Sequence, residues 1–297
     1  MFEQIAKLPL LVIVIGFSAL AMLVPAAHAA ALGDTWVAGS FLLSAVLSAC
    51  MGLFLAIAMY GRERIERPRR HLVALLALFV ILPLLLAVPF HQAVRNTSFF
   101  NAYVEMVSSL TTTGATLFPT PGRLSPPVHL WRAIVGWMGG LFIWISAIAV
   151  LAPMALGGFE VRARRIATQG AQFTQIEKVA DLSARVRLYA MKLFPLYVGL
   201  TAVLWLGLIL AGDTPFVAIC HAMSTMATSG ISPVGGMSGG SAGFGGEVMI
   251  AVFFVFAVSR LAFSREGQGS EIVQFSRDPG GRLALAIVTV VPLFLFT

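Results

Sequence analysis

The sequence predicts an all-α polytopic membrane protein of about seven spans, assembled from a repeated unit of span, short re-entrant helix and span. Three observations predict it. Of the 297 residues, 58% are hydrophobic and 11% charged, against roughly 25% charged in soluble globular domains. The stretch FNAYVEMVSSLTTTGAT at 100–116 returns in altered form as FVAICHAMSTMATSGIS at 216–232, an offset of 116 residues. The basic residues stand in short clusters between apolar runs, which is how loop charge in a membrane protein is placed and not how a nucleic-acid-binding face is built. The net charge of +7 therefore reads as topology, and the lipid bilayer, not nucleic acid, is the expected partner.

The first two spans form a preliminary unit, residues 1–70. Residues 5–27 are the first apolar run, and Ala27, His28 and Ala29 resemble a signal-peptide cleavage site. A run of about 20 residues is long enough to cross, however, and another follows at once, so it is read as a retained span. The second run, residues 36–60, is followed by Arg62, Arg64, Arg67, Arg69 and Arg70.

Residues 71–156 are the first repeat. Its entry span, 72–89, contains Pro83, which is expected to kink it. A short helix starting near Phe100 leads to the run Thr111, Thr112, Thr113, Gly114, Ala115. A turn-rich loop with Pro119, Pro121, Pro126 and Pro127 then leads to the exit span, 131–153, where Gly136, Gly139 and Gly140 permit close helix approach. A basic connector, 157–187, separates this from the second repeat, 188–264. That repeat has spans at 188–211 and 248–263 and, between them, a short helix, the run Thr228, Ser229, Gly230, Ile231 and a glycine-rich loop at 235–246. A connector at 265–282 leads to residues 283–297, the start of a third repeat.

The short helices cannot cross. About 11 residues at 1.5 Å each make roughly 16 Å, half of a ~30 Å hydrocarbon core. Their ends expose backbone at membrane depth, which is tolerated only inside protein or along a watery cavity. Charge agrees: with re-entrant helices and a cytoplasmic N-terminus, 17 of the 20 Lys and Arg residues fall inside and only Arg95, Arg123 and Arg132 outside. Were each short helix to cross, the cluster from Arg162 to Lys192 would lie outside, against the positive-inside tendency.

A dehydrated monovalent cation needs close oxygen ligands, and a ring of backbone carbonyls supplies them. Glycine reaches backbone conformations closed to other residues, and the hydroxyls of the neighbouring Thr and Ser add ligands or brace the chain. The C-terminal end of each short helix, partially negative, favours a cation. Thr111, Thr112, Thr113, Gly114, Ala115, Thr228, Ser229, Gly230 and Ile231 are therefore the expected ion-binding residues. The ion is cargo, and no cofactor is expected.

TTTGA at 111–115, CHAMSTMATSG at 220–230 and WRAIVGWMGGLFIWISAIAVLAPMALGG at 131–158 resemble the Trk-type potassium transporters, the TrkH/KtrB family related to potassium channels. The resemblance runs through nearly the whole chain. It implies a multi-pass translocation subunit of the inner (plasma) membrane, with four repeats around one pore and one filter segment from each. Only two repeats and the start of a third are present here, so the expectation is a chain truncated after two of four repeats. The family also implies a homodimer and a cytoplasmic nucleotide-binding ring protein, which the basic connectors would meet.

Other features carry competing readings. Gly239, Ser241 and Gly243 fit G-x-S-x-G, and a membrane-embedded serine hydrolase using Ser241 with His129 or His221 is the alternative, although no strand precedes the motif. A non-conducting membrane fragment is a third reading. Glu105 and His221 occupy equivalent positions on the two short helices, where hydrogen-bonded anchoring of the helix competes with a proton relay. Asp34, Asp213 and Glu247 are expected at the exterior edge as solvated loop residues. Met106, Met223, Met226, Cys50 and Cys220 are read as packing residues.

Overall fold

The computed structural model describes residues 10–59, 68–147 and 182–258. Eight α-helices are present among them: α1 (Leu10–Ala31), α2 (Thr35–Ala58), α3 (Pro68–Ala93), α4 (Phe99–Leu110), α5 (Pro126–Ser146), α6 (Leu182–Leu210), α7 (Pro215–Ala227) and α8 (Gly243–Val258). Helices α1, α2, α3, α5 and α6 are long and apolar enough to span a membrane. The start of the first expected span, the arginines at 62–67, most of the connectors and the expected seventh span lie outside the described residues.

The two repeats are visible in the helix starts. Helices α4 and α7 begin at Phe99 and Pro215, 116 residues apart, and run for 12 and 13 residues. At 1.5 Å per residue these are about 18–20 Å long, too short to cross. Each sits between a long entry helix, α3 or α6, and an exit helix, α5 or α8.

Local sequence chemistry sets the helix ends. Asp34 caps α2, its carboxylate accepting from the Val37 N–H at 3.0 Å, and stays half-exposed in the loop before the helix. Ser98 caps α4 in the same way through the Asn101 N–H at 3.1 Å. Helix α5 starts at Pro126, five residues before the expected exit span. Proline at the first helical position lacks only an N–H that would be unpaired anyway, so Pro126 and Pro127 open the helix instead of prolonging the turn. Helix α3 runs on through Pro83 and Pro89.

Helix α1 continues unbroken through Ala27, His28 and Ala29. Ala29 is fully buried, and the His28 ring stacks on Phe216 of α7 at 5.3 Å.

The centre of the structure is α5. Buried residues make up 78% of its apolar window, against 28–39% in the other four membrane-length helices, so those four show apolar flanks outward while α5 is enclosed. It packs against α1, α3, α4, α6 and α7. Trp131 is completely buried, edge-on to Phe41, and its indole N–H donates to the Leu86 carbonyl at 3.2 Å. Toward the second repeat, the Trp137 indole N–H donates to Thr201 at 2.9 Å and the Tyr197 hydroxyl donates to the Trp137 carbonyl at 3.2 Å. Met106, Met226 and Cys220 fill the core, whereas Cys50 is exposed on α2. An outward position on a lipid-facing helix removes Cys50 from the packing role expected of it.

Candidate functional site

The two short helices end on the same backbone device. After α4, the Thr112 N–H donates to Ser109 O and the Thr113 N–H to Ser108 O; after α7, the Thr228 N–H donates to Thr225 O and the Ser229 N–H to Ser224 O. The chain then takes left-handed conformations at every second residue: Thr112 (φ 55) and Gly114 (φ 73), Thr228 (φ 54) and Gly230 (φ 68). In an ordinary strand successive carbonyls point to opposite sides. A left-handed residue at alternate positions turns them toward one side, which is what a row of ion ligands requires.

Glycine adopts this conformation freely, but threonine does not. A β-branched residue at positive φ is an outlier, at a cost of about 1–3 kcal/mol. Among the described residues, three that are not glycine have positive φ, and two of them are Thr112 and Thr228. The same costly backbone conformation thus recurs at equivalent positions of the two runs.

The runs also meet. A Cβ on Gly114 would overlap the Ser229 carbonyl oxygen, whereas one on Gly230 would find no described atom within 4 Å. Helix α5 holds both from behind. A Cβ on Gly139 would overlap the carbonyl of Leu110, the last residue of α4, and one on Gly140 would stand 2.9 Å from the Cα of Ala227, the last residue of α7. A Cβ on Gly136 would lie 3.0 Å from the Ile231 side chain.

The individual side chains divide by role. Thr111 donates to the Val107 carbonyl at 2.8 Å and pairs with the Thr113 hydroxyl at 2.8 Å, so its hydroxyl closes the helix end. Ser108, to which the sequence alone assigns no ligand or bracing role, donates to the Ala115 carbonyl, and Ser229 bonds Ser224 at 3.3 Å. Ser229 and Ile231 are buried while Thr228 and Gly230 are exposed. The buried Ile231 side chain packs on α5, leaving only its backbone for any ligand role. A cavity of about 310 Å³ adjoins the second run, lined by Ser224, Thr228, Gly230, Ile250 and Phe254 among others.

Beyond each run lies a buried polar pair. Glu105 on α4 pairs with Arg132 on α5 at 2.6 Å, accepts from the Thr116 hydroxyl at 2.9 Å and accepts from the Leu117 N–H at 3.0 Å. Its equivalent on α7, His221, holds the Ser232 hydroxyl at 2.9 Å and faces the Asp213 carboxylate at 3.5 Å. Asp213 in turn accepts from the Ser241 and Ala242 N–H groups at 2.6 and 3.0 Å. Asp213 is thus buried, contrary to the expected solvated position: the two backbone N–H groups satisfy its Oδ1, while its Oδ2 faces His221 Nδ1 at 3.5 Å without a hydrogen bond. Glu247 is exposed.

The hydrolase constellation does not form. The loop before Ser241 contains a 3-10 turn, Met237–Gly239, in place of a strand. The serine against His221 is Ser232, and His129 bonds the Pro121 carbonyl at 2.9 Å.

No protein-family profile matches the chain. Among curated proteins, the chain is 32% identical over 154 residues to the Trk system potassium uptake protein TrkI of Halomonas elongata, covering 52% of this chain and 28% of that one. It is 33% identical over 137 residues to TrkH of Vibrio parahaemolyticus, covering 46% and 27%. Against TrkH of Halomonas elongata the identity is 28% over 231 residues, covering 75% and 45%. The matched stretches thus span less than half the length of these relatives. The crystal structure of the potassium transporter TrkH from Vibrio parahaemolyticus has the same fold, with a TM-score of 0.77 and 23% identity, covering 99% of this chain and 58% of that chain. The relatives are named as potassium uptake proteins, and this chain, a multi-pass membrane protein, is similar to them in sequence and to TrkH in fold.

Proposed function

We propose that this chain supplies part of a channel-like pathway for potassium uptake, in which the backbone carbonyls of Thr111–Ala115 and Thr228–Ile231, with the adjoining hydroxyls, take the place of the ion's water. The observation that carries the reading is the paired left-handed backbone at residues 112 and 114 and at 228 and 230, set at the ends of two half-length helices. Strained threonine conformations would not persist at both sites without a task that needs the carbonyls aligned. Potassium is taken from the names of the relatives, all of them potassium uptake proteins. The two helix C-termini supply negative potential without any carboxylate in the run.

The test is ion uptake by the full chain in cells lacking their own potassium uptake, or in liposomes. Gly114→Val should lower potassium flux at least about tenfold while the protein still inserts, because a side chain there meets the Ser229 carbonyl. Undiminished flux in that variant would overturn the proposal.

A further inference from the structure

The geometry points to Glu105 and His221 as positioning residues that pin the far ends of the two glycine runs through equivalent hydroxyls, Thr116 and Ser232, and so set which monovalent cation the runs admit. The inference deepens the potassium-pathway reading and rests on it.

Each run is held at both ends. Its near end is tied to its own helix, by Thr113 N–H to Ser108 O and by Ser229 N–H to Ser224 O, both 2.9 Å. Its far end is tied by a second set of bonds that repeats at the 116-residue offset. In the first unit the Thr116 hydroxyl donates to Glu105 at 2.9 Å and accepts the Phe118 N–H at 3.0 Å. In the second unit the Ser232 hydroxyl bonds His221 at 2.9 Å and accepts the Val234 N–H at 3.2 Å. Positions 105 and 221, 116 and 232, and 118 and 234 correspond one to one.

The chemistry differs although the geometry repeats. In the first unit the helix carries the acid and a neighbouring helix the base, Arg132. In the second the helix carries the base, and the acid, Asp213, precedes it. Glu105, Arg132, Asp213 and His221 are all at most 5% exposed. Burying four ionisable side chains is costly unless each is paired and hydrogen-bonded, and simple helix packing would be met more cheaply by apolar residues. What the buried pairs add is a rigid, directional hold on one hydroxyl at the end of each run. A carbonyl row fixed at both ends cannot contract around a smaller ion, and this bears directly on potassium against sodium.

The experiment uses the full chain with Thr116→Val, Ser232→Ala and both together, each beside its conservative counterpart, Thr116→Ser or Ser232→Thr. Two quantities are read: the potassium-to-sodium flux ratio in liposomes, and amide hydrogen exchange of the detergent-solubilised protein. Thr116→Val should speed exchange at residues 116–118 about tenfold, and Ser232→Ala at residues 232–234, with other segments unchanged, the loss expected for one buried hydrogen bond. The flux ratio should fall at least about threefold in the double variant, and Thr116→Ser and Ser232→Thr should keep both quantities near the original. Exchange that is unchanged, or that rises throughout the protein, overturns the inference, as does an unaltered ratio with local exchange raised. If the unmodified chain carries no potassium current, the functional reading fails, and local exchange alone still decides whether the hydroxyls pin the runs.

Discussion

The first and second repeats reach one backbone geometry by opposite electrostatic routes. Helix α4 is entered through a side-chain cap, Ser98, and carries a carboxylate answered by Arg132. Helix α7 is entered through Pro215 with no side-chain cap bond at Thr214, and carries a histidine answered by Asp213. The runs that follow nonetheless repeat residue for residue in the sign of φ. What is shared is the hydroxyl and glycine backbone, and what diverges is the scaffolding behind it.

The contrast is sharpest at the buried pairs. Glu105→Ala leaves Arg132 as an uncompensated buried cation and should destabilise the protein by about 3–5 kcal/mol. His221→Ala leaves Asp213 with two backbone N–H partners and should cost about 1–3 kcal/mol. Thermal unfolding in detergent would measure both, and equal losses would break the comparison. Glu105→Ala combined with Arg132→Ala should cost less than the sum of the two single changes.

A smaller difference is expected at the glycines. Gly114→Ala sets a methyl against the Ser229 carbonyl at a left-handed position and should cost about 2–4 kcal/mol, strain and overlap together. Gly230→Ala meets only the conformational strain, about 1–2 kcal/mol. Comparable stability losses in the two variants would show that the contact between the runs carries no weight.

The smallest effect concerns the helix entries. Ser98→Ala should cost about 1 kcal/mol through its lost cap, while Thr214→Ala, which removes no cap bond, should stay within about 0.5 kcal/mol. Denaturant midpoints at constant slope would resolve the difference, and a reversal of the order would reject the assignment of Ser98 as the cap.

Much of this architecture is legible in the sequence because the repeat is local and periodic. The 116-residue offset, the half-length helices and the tight glycines on α5 need only spacing and helix length to be seen. Three features escape such reading. The burial of Asp213 depends on N–H groups of residues 241 and 242, which hydropathy places in a solvated loop. The Glu105–Arg132 pair joins two helices whose rotational setting no single-helix pattern specifies. The early start of α5 is hidden because Pro126 and Pro127 suit a turn as well as a first helical position. The role of Ser108 is hidden for a similar reason, since a serine inside an amphipathic helix does not announce that its hydroxyl reaches a carbonyl seven residues on.

Helix α5 presses adjacent glycines against the terminal residues of both short helices, one on each side. Neither helix can be nudged toward it without displacing main chain, because the Leu110 carbonyl and the Ala227 Cα already stand where an added methyl group would go. A displacement of one run therefore reaches the other through closely packed main chain at van der Waals range, and the two move as a single stiff jaw instead of two separate fingers.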